Sequence, residues 1–160
     1  MLSDICSELS NSVLELIWTL NIPLKITCFT WLLIRGKILT WDQLHIRGFK
    51  GPSRCVLCEE NVEDIHHLFF TCPLSVRILS HFTAKFKCSF PDFNYVQSFL
   101  DQWFNTTARA AEYRYLPLFL FWGLWILPNH CVFENRRPLF SVFISRIEGF
   151  LNTYPAPLKS

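Results

Sequence analysis

The segment RCVLCEENVEDIHHLFFTCP, at residues 54–73, places three cysteines and two histidines close together in the chain. Cys55 and Cys58 have the spacing at which two thiolates on one tight turn can bind a single metal ion. A histidine and a third cysteine follow at positions 67 and 72, so the full pattern is C-x2-C-x8-H-x4-C. Three thiolates and one imidazole are a ligand set typical of structural zinc. The segment therefore predicts a Cys3His zinc site.

The choice between the adjacent histidines His66 and His67 is left open by the spacing alone. If residues 64–70 are helical, neighbouring side chains point about 100° apart, so only one of the two can bind the ion. Five residues along a continuous helix would turn His67 and Cys72 about 140° apart, so this helix must end before Cys72. Pro73 fits that end. The alternative interpretation is that the cysteines are ordinary core residues of an apolar protein.

The predicted site is structural rather than catalytic. A zinc ion that activates water keeps one coordination position open and needs an acid or base beside it. Here four protein ligands close the tetrahedron, and the H-x-E element of zinc deaminases is absent from the sequence. The sequence also lacks the closely placed aspartates that polymerase metal chemistry needs. We therefore predict that the chain is not an enzyme.

The sign of the charge changes at the start of this segment. Residues 25–54 hold six basic side chains and one acidic one, whereas residues 55–72 hold four acidic side chains and no Lys or Arg. One interpretation is two ordinary solvated faces. The other is that the basic residues contact phosphate while the acidic zinc loop does not. The candidate nucleic-acid-binding residues are then Lys25, Arg35, Lys37, Arg47, Lys50 and Arg54.

Composition and periodicity predict a small, mostly α domain in which the zinc loop is embedded. Hydrophobic residues make up 51% of the 160 residues and aromatic residues 16%, which is enough to bury a core. Capping boxes at Ser12 and Thr40, stops at Gly36 and Gly48, and Pro73 mark helix ends. The predicted helices cover residues 13–20, 23–35, 40–47, 73–82, 94–104, 108–127 and 139–152.

The chain carries no sign of secretion or of a membrane span. Residues 1–24 contain no Lys or Arg, unlike a signal peptide or a mitochondrial presequence. The apolar run at 116–127 is too short to cross about 30 Å of hydrocarbon, so it predicts a buried helix. We expect an intracellular protein, nuclear or cytoplasmic, without disulfides. Four further cysteines have no partner at ligand spacing and are predicted to be core residues: Cys6, Cys28, Cys88 and Cys131.

The flanking sequence extends the pattern beyond a generic zinc site. Residues 13–79 resemble the zinc-binding domain of plant non-LTR (LINE-type) retrotransposon reverse transcriptases. The matching elements are Trp18, Ile22-Pro23, Lys25, Phe29, Trp31, Leu39-Thr40, Leu44, Arg47-Gly48, Cys55, Cys58, His67-Leu68-Phe69 and Cys72-Pro73. In that family the ligand histidine precedes Leu-Phe, so the resemblance implies His67 rather than His66. A looser match lies at Trp122, Trp125, Asn129 and Phe133.

The resemblance also implies a role for the chain. In such polyproteins the domain follows the reverse transcriptase and often precedes a ribonuclease H domain, so these two domains and RNA or DNA are the implied partners. Residues 13–79 would form the zinc-binding domain, and residues 80–160 a helical extension that partly resembles the linker toward ribonuclease H. The implied function is a non-catalytic module, with structural Zn²⁺, that assists nucleic-acid binding. The alternatives are a scaffold that docks the polymerase part and a decayed retroelement fragment without activity.

Overall fold

The chain folds into helices joined by short turns, which confirms the predicted fold class. The computed structural model describes residues 13–48, 50, 54–55, 57–90, 95–105, 113–134 and 140–155, with only the backbone at 41–43 and 128–134. These ranges contain no strand, and a single antiparallel bridge joins Arg54 and Val62 within them. Their longer helices are α1 (Leu24–Ile34), α2 (Trp41–Ile46), α3 (Pro73–Phe86), α4 (Val96–Asn105), α5 (Leu116–Glu134) and α6 (Phe140–Thr153). Where a helix was predicted over 13–20, residues 13–16 form a short helical turn that continues into a 3-10 turn, Ile17–Thr19.

Local sequence signals set several helix ends where they were predicted. α1 begins directly after Pro23 and stops before Gly36, whose φ of 65° is a left-handed conformation that glycine adopts without a steric penalty. Gly48 follows α2 with a φ of 89° for the same reason. Pro73 is the first residue of α3, where its missing N–H leaves no helical hydrogen bond unmade. The capping box at Ser12 and the turn at 51–52 lie outside the described residues.

Two helices extend further than the sequence predicted. α3 continues four residues beyond Phe82 and ends at Phe86. The prediction of a helix over 108–127 is wrong at its end, because α5 runs past Pro128 to Glu134, and residues 113–115 form a turn before it. A proline inside a helix removes one hydrogen bond and costs about 3 kcal/mol. The buried apolar side chains of α5 offset that cost, which local propensity alone does not reveal.

α5 is the buried centre of the fold, as predicted for this apolar segment. α1 and α6 both pack against it, and residues on both sides of position 79 contribute to one hydrophobic core. Among the helices that the structure describes, none combines the length and the apolar character needed to cross a membrane. Six side chains of α5 are at most 1% exposed: Leu116, Leu118, Phe119, Leu120, Phe121 and Leu124.

The two segments that carry the family resemblance pack directly against each other. Phe29 of α1 contacts Trp122 and Trp125 of α5, with ring centroids 5.4 and 5.9 Å apart. The Lys25 ammonium lies 5.8 Å from the centroid of the Trp122 ring, within the range of a cation–π interaction. Lys25 and Phe29 are four residues apart, so they share one face of α1. The K-x-x-x-F and W-x-x-W spacings therefore describe the two sides of one helix–helix contact.

The exposed face of α1 corrects a prediction about its cysteine. Cys28 is exposed, so the prediction that it is a core residue is wrong, while Cys88 is half-buried and Cys6 and Cys131 lie outside the described side chains. The buried face of α1 includes Thr27 and Thr30. The Thr30 hydroxyl donates to the Ile26 carbonyl at 2.8 Å, which satisfies the hydroxyl inside the core. Because the exposed face also carries apolar residues, at Leu24, Cys28 and Leu32, apolar character alone does not identify the buried face.

Close packing between α5 and α6 at Gly123 gives a first test of the fold. A Cβ at this position would lie 2.9 Å from side-chain atoms of Phe143 and Ile147. We expect Gly123→Ala to lower the free energy of unfolding by about 1–3 kcal/mol, because the Phe143 and Ile147 side chains would have to shift in a packed core. The control is Gly149→Ala on α6, where a Cβ would meet nothing within 4 Å. That substitution should stabilise the helix by up to about 1 kcal/mol. Equal effects in urea denaturation would contradict this packing.

Candidate metal centre

The four side chains that the sequence singled out converge on one point. The ligand atoms of Cys55, Cys58, His67 and Cys72 all lie within 4.8 Å of one another. The Cys55 and Cys72 sulfurs are 3.9 Å apart, and the Cys58 sulfur is 3.3 Å from Nε2 of His67. Residues 17 positions apart in the chain are thus brought together at the surface of the core, with Cys55 and Cys72 fully buried.

A tight turn presents the first two cysteines. The Cys55 N–H donates to the Asn61 carbonyl at 2.7 Å, and the Glu59 N–H donates to the Cys55 carbonyl at 2.7 Å. Glu59 has a φ of 60°, a left-handed conformation that lets the chain reverse directly after Cys58. The backbone N–H groups of Leu57 and Cys58 interact with the Cys55 sulfur and favour its thiolate form. This turn therefore orients both sulfurs. Its N–H groups also partly compensate the negative charge that the Cys55 sulfur carries when it binds a metal.

A widened helical turn presents the other two ligands. Residues His67–Thr71 form a π-helical turn, closed by the Cys72 N–H, which donates to the His67 carbonyl at 2.7 Å. The five-residue spacing of this bond brings positions 67 and 72 together, whereas an α-helix would separate them. Cys72 then adopts an extended conformation, with ψ of 129°, as expected for a residue before proline. The prediction that the helix carrying His67 ends before Cys72 is confirmed.

The structure distinguishes the two adjacent histidines. His67 is 7% exposed and reaches the cluster, while His66 is exposed and packs its ring 5.9 Å from that of Phe70. Nδ1 of His67 lies 3.2 Å from the Thr71 hydroxyl, and the His67 backbone N–H donates to the Asp64 carboxylate at 2.6 Å. An N–H at Nδ1 leaves the lone pair of Nε2 free for a metal. Thr71 and Asp64 were not predicted, although the four-residue step from His67 to Thr71 is a sequence signal.

The protonation of the sulfurs follows from their proximity. The hydrogen bond between the Cys55 and Cys72 sulfurs, together with burial, raises the pKa of Cys55. The same hydrogen bond lowers the pKa of Cys72, assisted by the backbone N–H groups of Leu74 and Ser75 at the start of α3. In this hydrogen bond the Cys55 thiol donates and the Cys72 sulfur accepts. A divalent cation that binds both sulfurs takes the place of the shared proton.

The distance between the Cys55 and Cys72 sulfurs fits a tetrahedral zinc ion. Bonds of about 2.3 Å at tetrahedral angles separate two sulfurs by about 3.8 Å, and the Cys55–Cys72 distance is 3.9 Å. Three sulfurs and one imidazole nitrogen complete four positions, so no position is left for a reacting water molecule. The side chains can therefore hold a metal that crosslinks the turn at residue 55 to the start of α3.

The Thr71 hydroxyl provides a test of ligand orientation. We expect Thr71→Val to weaken metal affinity roughly 10- to 100-fold, because Nδ1 of His67 loses the partner that fixes its tautomer. A competition titration against a fluorescent chelator would measure the affinity. Thr153→Val is the matched control, since its hydroxyl donates to the Gly149 carbonyl on the exposed face of α6. Equal affinities for the two variants would show that the hydroxyl does not orient the imidazole.

The six basic residues predicted to bind nucleic acid are all exposed. The Arg35 guanidinium lies 4.6 Å from the centroid of the Trp31 ring, and Lys25 lies over Trp122. Arg54 directly precedes the first ligand cysteine. The side chain of Trp41, a second candidate for base stacking, lies outside the described residues. The structure thus places the six cations on the surface, with Arg54 next to the cluster of cysteines.

Comparisons with known proteins agree with the chemistry of the cluster. Residues 5–78 match a family described as zinc-binding in reverse transcriptase, and the match includes all four candidate ligands. Over 67 residues the chain is 25% identical to a "putative ribonuclease H protein" of Arabidopsis thaliana. This stretch covers 42% of the chain and 11% of that protein, so the match spans only about a tenth of the relative's length. No solved structure matches the chain. The resemblance to a reverse transcriptase zinc-binding domain is confirmed.

Proposed function

We propose that this chain is a non-catalytic, zinc-stabilised module of a plant LINE-type retroelement polyprotein and that it assists nucleic-acid binding. The convergence of four donor atoms within 4.8 Å carries the proposal, because it provides a closed structural metal site. When bound, Zn²⁺ supplies a crosslink between the first cysteine turn and α3. The proposed ligands are Cys55, Cys58, His67 and Cys72, and the proposed partners are RNA or DNA and the reverse transcriptase and ribonuclease H domains of the parent polyprotein.

Electrostatics assign phosphate binding to the basic segment rather than to the metal loop. Three thiolates and Zn²⁺ sum to a net charge of about −1, and Glu59 and Glu60 are exposed on the same loop. This loop repels phosphate. In contrast, the exposed cations lie along residues 25–54 with one acidic residue among them. The proposed phosphate contacts are Lys25, Arg35, Lys37, Arg47, Lys50 and Arg54.

We divide the chain into two parts by sequence, although side chains of both parts pack in one hydrophobic core. Residues 13–79 form the zinc-binding domain and residues 80–160 a helical extension toward a ribonuclease H domain. The extension completes the hydrophobic core through α5, so we propose that the two parts act as one folded unit. The proposal assigns neither part a catalytic step, and it places the protein in the nucleus or cytoplasm.

A second candidate function is a scaffold that docks the polymerase part without touching nucleic acid. The observation that favours it is the apolar character of the surface around α1. Trp18 is 51% exposed, and Leu24 and Leu32 are 68% and 38% exposed. Exposed apolar side chains of this size are typical of protein interfaces when they are contiguous. If the chain acts only as a scaffold, it does not bind nucleic acid, and replacement of the six basic residues would leave this unchanged.

A salt titration with matched variants distinguishes the two functions. We expect Lys37→Ala, Arg47→Ala and Arg54→Ala in one chain to weaken binding to single-stranded nucleic acid and to lower the slope of log K against log salt by about 2. The matched control replaces three exposed cations outside the segment, Arg77, Lys87 and Arg146. That control should leave the slope unchanged. Equal slopes for both triple variants, or no measurable binding by the wild-type chain, would contradict the nucleic-acid function.

A further inference from the structure

A cleft of about 510 Å³ lies where three parts of the chain meet. The end of α1 provides one side through Ile34 and Gly36, and the turn that carries the metal ligand His67 provides another through Ile65 and His66. The start of α4 closes it with residues 95–98. The volume is within the range of small-molecule sites, about 300–1,000 Å³, and is far too small for a duplex.

The lining of the cleft combines an apolar floor with aromatic and polar groups at its rim. Aliphatic side chains of Leu33, Ile34, Ile65 and Val96 form the apolar part. The rings of His66 and Tyr95 are exposed, Tyr95 by 73%, and they stand beside this floor. Gln97 and Ser98 add an amide and a hydroxyl, which can donate and accept hydrogen bonds. A flat ring with polar edges is the chemical group that such a lining suits.

Two cations adjoin the cleft in the sequence, although neither is among its lining residues. Gly36 lines it, and the residues on either side of Gly36 in the chain are Arg35 and Lys37, both exposed. The Arg35 guanidinium is held over the Trp31 ring at 4.6 Å. A nucleotide whose base enters the cleft would carry its phosphates toward this edge, where the charges are complementary. The exposed rings of His66 and Tyr95 beside an apolar floor suit a base, and the adjoining cations suit its phosphates, so the occupant that fits best is a nucleotide.

We propose that this cleft binds one unstacked base of a single-stranded nucleic acid, with Tyr95 and His66 as stacking surfaces and Arg35 and Lys37 as phosphate contacts. This inference rests on the proposed nucleic-acid function, and it assigns to the metal the role of positioning part of the cleft. His66 directly precedes the ligand His67, so the metal site fixes the position of one wall of the cleft. The acidic metal loop then contributes the His66 ring to base stacking, although its negative charge repels phosphate.

A comparison of strands with and without bases tests the cleft. Fluorescence anisotropy would measure the affinity of the full chain for short single strands of RNA and of DNA, and for strands of equal charge in which the bases are absent. We expect the wild-type chain to bind base-containing strands about tenfold more tightly, since stacking on an aromatic side chain is worth about that factor per base. Tyr95→Ala should remove most of this difference, and Tyr95→Phe should keep it.

The variants separate failure of the cleft from failure of the function. Tyr95 is largely exposed, so its truncation should leave thermal unfolding unchanged. Val142→Ala, at an exposed position of α6, is the control and should bind both kinds of strand as the wild type does. If wild type binds both strands equally, or Tyr95→Ala weakens both by the same factor, the cleft does not hold a base, although the basic segment can still bind phosphate. If wild type binds neither strand, both the cleft and the proposed function are overturned.

Discussion

Chelation of the metal should lower the melting temperature of this protein by roughly 8–16 °C while most of its helical circular dichroism remains. An ion present at about 1,000 times its dissociation constant stabilises the folded state by about 4 kcal/mol. For a chain of this size each kcal/mol corresponds to roughly 2–4 °C. A metal held by the four side chains would crosslink residues 55–72, whereas α5 and α6 pack on each other away from this site. Amide exchange should therefore increase first in residues 54–73.

Substitution of one ligand should have the same effect and identifies the site. We expect Cys72→Ser to lose stoichiometric zinc, because three remaining ligands leave the tetrahedron open, and elemental analysis of metal per chain would measure the loss. Cys28→Ser is the matched control, since Cys28 is exposed and lies outside the cluster. It should retain one ion per chain and the wild-type melting temperature. A Cys72→Ser protein with full zinc content would contradict the proposed site, and complete loss of helicity on chelation would contradict the local effect of the metal.

Phe121→Ala should lower the free energy of unfolding by about 3–5 kcal/mol. Phe121 is 1% exposed and stands at the centre of an aromatic cluster. Its ring centroid lies 5.3 Å from that of Phe69, 6.0 Å from that of Phe70 and 5.4 Å from that of Phe99. Phe69 and Phe70 belong to the turn that carries His67, and Phe99 belongs to α4. A cavity at this position therefore removes contacts between three elements at once.

The same substitution should also weaken metal binding, because the turn that holds His67 loses its support from α5. Phe150→Ala is the control, since the Phe150 ring stacks on Phe119 of α5 at 5.3 Å and Phe150 is only half-buried. We expect a smaller loss of stability for this control and unchanged metal affinity. Urea denaturation and chelator competition would measure the two quantities. Wild-type metal affinity in Phe121→Ala would show that the metal turn is positioned independently of α5.

Short-range signals predicted much of the fold and of the candidate site. Pro73 both starts α3 and forces Cys72 into an extended conformation, so one residue fixes where the ligand turn ends. Gly36 ends α1 because it adopts a positive φ. Spacing and residue type identified the three cysteine ligands and one of two adjacent histidines, because a metal needs specific donor atoms at short range. The choice of His67 over His66 came from the resemblance alone, and the structure places His67 in the cluster.

Features that depend on distant parts of the chain were not predicted. The exposed position of Cys28 follows from how α1 packs on α5, with Thr27 and Thr30 inward. The continuation of α5 past Pro128 depends on the burial of the helix and not on local propensity. The cleft beside His66 exists only because α1, the metal turn and α4 meet there.

The sequence by itself determined which donor atoms are available and where the backbone must turn, because thiolates, imidazoles, prolines and glycines act on their neighbours within a few residues. The tertiary structure decided which apolar faces are buried and which rings remain in solvent. The physical reason is that the hydrophobic effect has no direction and depends on the area removed from water. An apolar helix such as α5 can bury any side until a partner such as Phe29 or Phe143 is placed against it.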